Sequence, residues 1–162
     1  MTARPSTAPR FAALALAGAS ILFGTALHAQ NQSQLVAEAM TAPAGFSAKG
    51  TFQKAEAPVT GGFVIKKEGG RQVLVLSSDF KTNDMAPDLK VAFSPSRTPL
   101  AATKPPAYPL KPGSYTILAP LKSSAGGQSY IIPASIDLSK QGSVLIWCQK
   151  FNATMAWAPL KP

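Results

Sequence analysis

Residues 62–77 read G-F-V-I-K-K-E-G-G-R-Q-V-L-V-L-S. Two β-branched and apolar runs, 62–67 and 71–77, flank E-G-G, whose glycines supply the positive φ of a tight reversal. This is a β-hairpin, and the same punctuation recurs around it. Further strands are expected near 49–53, 88–93 (D-L-K-V-A-F), 115–118 (Y-T-I-L), 128–132 (Q-S-Y-I-I), 143–150 (S-V-L-I-W-C-Q-K) and about 153–158. After Gly45 no window of helical length carries a 3.6-residue period, and fifteen prolines in the chain oppose long helices. About eight short strands at this spacing predict an all-β domain, an antiparallel sandwich or barrel.

The chain before Gly45 reads differently. Arg4 and Arg10 precede an apolar run from Phe11 to Leu27, followed by A-L-H-A-Q with small residues suited to cleavage after Ala29. Residues 1–29 are expected to be a signal peptide, 30–44 a polar spacer, and 45–162 the β domain. The protein is thus expected to be exported, to a periplasm or the extracellular space, with no membrane span after cleavage. The cut leaves 133 of the 162 residues, and the formal charge falls from +9 to +7 because Arg4 and Arg10 leave with it.

His28, the only histidine, leaves too. The remaining chain can build no Ser–His–Asp or Cys–His nucleophilic site, no imidazole-held zinc or copper, and no histidine-ligated haem. The reading therefore leans away from an enzyme. The lysines are scattered, which makes a basic surface for anionic partners. They form no clustered stripe with interleaved aromatics, so no nucleic-acid partner is expected.

One connection is long. Residues 95–113, P-S-R-T-P-L-A-A-T-K-P-P-A-Y-P-L-K-P-G, hold six prolines and three cations. Such a loop is either a mobile surface excursion or a docking segment for a redox or protein partner.

Cys148 is the only cysteine. Strand alternation places Val144, Ile146, Cys148 and Lys150 on one side and Leu145, Trp147, Gln149 and Phe151 on the other. A nearby Lys150 ammonium would activate the thiol, whereas burial would silence it, and the pattern alone favours a buried, inert cysteine. Trp147 is a candidate to line a pocket. A partnerless thiol in an oxidising compartment implies burial, ligation or use. In S-S-D-F-K-T-N-D-M-A-P-D-L (77–89), Asp79, Asn83, Asp84 and Asp88 are weak candidates for calcium. Their spacing matches no EF-hand loop, and turn formation accounts for them better. The sequence requires no cofactor, and a Cys-ligated metal or haem stays open.

Taken in order, G-T-F (50–52), V-L-V-L-S-S-D-F (73–80), P-D-L (87–89), G-Q-S-Y-I-I-P (127–133), V-L-I-W-C (144–148) and A-W-A-P-L (156–160) resemble the DM-thirteen family, the electron-transfer domain of Skeletor-type proteins. The resemblance runs from about Gly50 to Leu160. Asp79, Phe80, Pro87, Asp88, Tyr130, Trp147 and Cys148 fall on its motif. It implies a β-rich extracytoplasmic domain whose shared cysteine, here Cys148, takes part in redox chemistry as a bare thiol or by holding a prosthetic group. Two positions depart from the pattern. Ala86 replaces a glycine before Pro-Asp, and Ala57 stands where many members carry a histidine in the first hairpin. Without that histidine, Met40, Met85 or Met155 remain as protein co-ligands for Cys148.

Overall fold

The computed structural model describes residues 45–161; the expected signal peptide and spacer lie outside them. Nine strands make two antiparallel sheets packed face to face. They are β1 (Ala48–Thr51), β2 (Gln53–Lys54), β3 (Gly62–Glu68), β4 (Arg71–Leu76), β5 (Leu89–Ser94), β6 (Thr116–Pro120), β7 (Gln128–Ile132), β8 (Ser143–Cys148) and β9 (Ala153–Pro159). One sheet has the order β1-β3-β4-β7 and the other β2-β9-β8-β5-β6. The sheets do not close into a barrel, so of the two expected architectures the sandwich is the one formed. A single 3-10 turn, Leu138–Lys140, is the only helical element among the described residues.

The hairpin forms as read, with Glu68 opposite Arg71 and both Gly69 and Gly70 at positive φ. The expected strand 49–53 is two strands. At Phe52 the chain crosses from one sheet to the other, because the Phe52 ring turns into the core and packs on Phe63 and Phe80 at centroid distances of 5.9 and 5.5 Å. Gly50 permits the crossing, since a Cβ there would lie 2.6 Å from the Phe63 ring and 2.7 Å from the Pro159 carbonyl. Gly61 completes it at φ +81°, where a Cβ would meet Ser77 Oγ at 2.6 Å.

Between the sheets lie Phe63, Ile65, Leu74 and Leu76 from one side and Val91, Phe93, Val144, Ile146 and Cys148 from the other. A second, smaller cluster covers the outer face of the five-stranded sheet. It contains Ala92, Leu110, Leu145 and Trp147, with Tyr115 and Trp157 against it. Every residue of β8 is buried as a result. That double burial is the physical reason 143–148 reads as a continuous apolar run instead of an alternating one.

The proline-rich segment supplies Leu110 to this outer cluster. Thr154 donates from its amide to the Ala107 carbonyl (2.9 Å) and from its hydroxyl to the Tyr108 carbonyl (2.8 Å). Ser143 Oγ donates to the Ser96 carbonyl at 2.8 Å. The segment is therefore tied to β8 and β9 at these points, and most of its other residues are exposed. Its prolines deny it a place in a sheet, but they leave its carbonyls free to accept these bonds.

Candidate functional site

Cys148 is the last residue of β8, with Leu89 of β5 opposite it on one side and Ala153 of β9 on the other. It has no exposed surface. The chain then turns through Gln149–Asn152. The Gln149 amide donates to the Asp88 carbonyl (2.9 Å) and the Asn152 amide to the Gln149 carbonyl (3.2 Å). Strand alternation holds through Cys148: Val144, Ile146 and Cys148 face the main core, and Leu145 and Trp147 face the outer cluster. It stops there, because the turn takes Lys150 off the strand face. Lys150 is exposed, its ammonium 5.8 Å from the centre of the exposed Phe151 ring.

Trp147 is enclosed, its ring 4.6 Å from Tyr115. Its Nε1 donates to Asn152 Oδ1 at 3.1 Å. The space beside it is filled by Tyr115, Leu110 and Trp157, so this candidate for lining a pocket packs in a core, as a strand aromatic does by default.

Asn152 is the residue the sequence reading missed. It sits at φ 45°, in the left-handed region that Asn tolerates better than most residues. Its Oδ1 accepts from the Leu110 amide (2.9 Å) as well as from Trp147, and its Nδ2 donates to the Leu110 carbonyl (3.1 Å). One amide side chain thus joins the turn after Cys148, the indole before it, and the proline-rich cover. An Asn closing a tight turn between two strands was the available signal.

The acidic candidates are not brought together. The Asp79 carbonyl accepts from Thr60 Oγ1 (2.7 Å), and the Asp84 residue is exposed. The Asp88 carboxylate pairs with Lys90 Nζ at 2.6 Å. Asn83 Oδ1 accepts from the Met85 amide (2.9 Å), the self-bonding of a turn. No group of three His, Cys, Asp or Glu side chains able to hold a metal occurs among the described residues. Of the methionines, Met155 lies in the same core as Cys148, Met85 is exposed, and Met40 lies outside the described residues.

Tyr130 is buried on β7. Its hydroxyl donates to Gln128 Oε1 (2.6 Å) and accepts from the Lys122 amide (3.0 Å). Burial lifts the phenol above its usual range, with the Lys122 bond working against it. Gln128 also accepts from the Ser123 amide, and its own amide donates to the Ser123 carbonyl (2.8 Å). The Gln-x-Tyr pair therefore ties down the 121–127 loop.

A family model described as electron transfer DM13 matches residues 51–160. The chain belongs to this family. No curated protein and no solved structure matches. The DM13 match links the chain to electron transfer in general terms, and it takes in all the strands from β2 to β9. Ala57 is buried, its amide donating to the Met155 carbonyl at 3.2 Å. Ala86 is half-buried against the main core, so its methyl fills space that a glycine would leave. As packed, the Cys148 site does not fit a haem. That group needs an open slot beside its sulfur ligand, and Cys148 has no free surface.

Proposed function

We propose that the chain is an exported electron-transfer domain in which Cys148 is the redox-active group. The family match over residues 51–160 carries the reading, because it includes the Trp147–Cys148 pair at the end of β8. The apolar leader of residues 11–27 supports export. The position of the thiol supports a guarded centre. It is closed to solvent, yet the next three residues, Gln149, Lys150 and Phe151, are exposed. The redox reading requires that this turn and the strand ends beside it open to bare the sulfur. The step then available to a lone thiol is exchange with a disulfide-bearing partner. Cys148 Sγ gives its proton to water and attacks one partner sulfur, the partner S–S bond breaks, and the second sulfur leaves as thiolate.

The complete burial of Cys148 also favours a second reading. In it the domain is a non-catalytic sandwich that binds a protein, glycan or small ligand through the 95–113 segment and its basic surface, with Cys148 as core. Alkylation of the native protein separates the two. Reaction well faster than global unfolding allows, with Cys148→Ser folded but inactive in electron exchange, supports the redox reading. A thiol silent until denaturation, in a sample without visible absorbance, leaves the binding module in its place.

A further inference from the structure

The outer faces of the two sheets differ. That of the five-stranded sheet carries the cluster of Leu110, Leu145 and Trp147, whereas that of the four-stranded sheet contributes to neither core cluster. Register sets Lys49, Val64, Val75 and Ser129 in one row across β1, β3, β4 and β7, and Lys66, Val73 and Ile131 in the next. Val64 is 46% exposed and Ile131 53%, Val75 is half-buried, and Val73 lies between Lys66 and Ile131. The solvent side of an antiparallel sheet ordinarily turns polar residues outward. Here four aliphatic side chains stand together, and a contiguous patch of that kind with a polar rim marks an interaction surface.

The rim is basic. Lys49 ends the first row, and its bridge to Lys161 brings a second lysine to the same side. Lys66 heads the second row, and Arg71 lies one row further on, opposite Glu68. All four cations are exposed. Glu68 is the one carboxylate among these positions, and it pairs with Lys66 Nζ at 3.0 Å. Four cations against one carboxylate leave the face at +3. Asp137, beside Arg71 and Ile131 at the end of the face, is paired with Lys140 at 3.3 Å.

We infer that this face docks on the anionic surface of a lipid bilayer. The four cations meet the headgroup charge, and Val64, Val75 and Ile131 rest at the boundary of the acyl region. Lysine and arginine stems lie along apolar surface while their charged ends reach outward, which suits cations at the rim of an aliphatic strip. Two other occupants fit less well. A second copy of the chain would set like charge against like charge. A protein partner draws on aromatic anchors over about 800 Å² per side, and neither row holds an aromatic residue.

The test is cosedimentation with phosphatidylcholine vesicles, with and without about one-third phosphatidylglycerol. It uses the chain from Gln30, because both sheets lie within residues 48–159 and the apolar run 11–27 would itself enter a bilayer. Binding is expected to the anionic vesicles only, and to fall as salt rises. Lys49→Gln with Lys66→Gln should weaken it about twenty-five-fold, about fivefold for each cation. Lys104→Gln with Lys111→Gln removes the same charge from the 95–113 segment, on the opposite side, and should change binding less than about twofold. Ile131→Thr should weaken it about threefold or more with the thermal midpoint unmoved. In Ile131→Trp, vesicles with brominated acyl chains should quench the new indole and leave the emission of the parent protein unchanged. Equal loss in the two lysine pairs means attraction to overall charge alone and overturns the inference. So does an absence of binding to the anionic vesicles, a dimer in solution that Ile131→Thr dissolves, or binding to poly-L-glutamate as tight as to the vesicles.

Discussion

A buried thiol at a strand end and an amide in the turn beside it divide the work of this corner of the fold. Cys148→Ser places a hydroxyl where nothing polar awaits it and is expected to cost about 1–3 kcal/mol, measured by denaturant unfolding. Asn152→Ala removes three hydrogen bonds and strands the Leu110 amide, the Leu110 carbonyl and the Trp147 indole. The expected loss is about 2–4 kcal/mol. Asn152→Gly keeps the backbone at ease at φ 45° and should recover part of that loss, about 1 kcal/mol, which isolates the side-chain share. Gly61→Ala, at φ +81° and against Ser77 Oγ, should destabilise by about 1–3 kcal/mol. Cys148 and its enclosure were legible in the sequence, since an apolar run continuous on both faces belongs to a strand covered twice. Asn152 was hidden because its role depends on a segment more than forty residues away, and no local pattern reports that distance.

At the scale of elements, the β-branched runs and the Gly, Pro and Asp between them place the strands to within a residue or two. The glycine pair fixes the first hairpin. Two things escaped this reading for different reasons. The sheet switch at Phe52 is invisible to alternation, because the chain runs on from β1 into β2 with one residue between them and changes partners, from β3 to β9. The 95–113 cover is invisible because proline erases periodicity without preventing packing. Leu110 is its anchor, and Leu110→Ala should cost about 2–4 kcal/mol. The same variant should expose 95–113 to limited proteolysis under conditions where the parent is cut slowly. Equal proteolysis of parent and variant would mean that the hydrogen bonds to Thr154 and Ser143 hold the cover without the leucine.

For the whole molecule, stability should fall on the alkaline side. The folded-state pKa of Tyr130 is raised, so the phenol stays protonated in the fold while the unfolded chain ionises near 10. Its contribution is complete below that value and is lost as pH climbs toward the folded value. Tyr130→Phe should flatten that alkaline decline, at a cost near neutrality of about 0.5–1.5 kcal/mol for the lost bonds to Gln128 and Lys122. Unfolding curves collected from neutral pH to above pH 10 check both statements.

The pairing of Lys49 with Lys161 joins the beginning of β1 to the far end of the described chain by two backbone bonds, of 2.9 and 3.1 Å. Entry and exit of the domain therefore lie side by side. A unit with that geometry can be spliced into a surface loop of another protein without prising the loop apart. It can also be re-cut elsewhere once its ends are joined by a short linker. The exposed Gly69–Gly70 hairpin tip is the natural place for the new ends. The sandwich is, in this sense, a plug-in module whose two leads leave from the same socket.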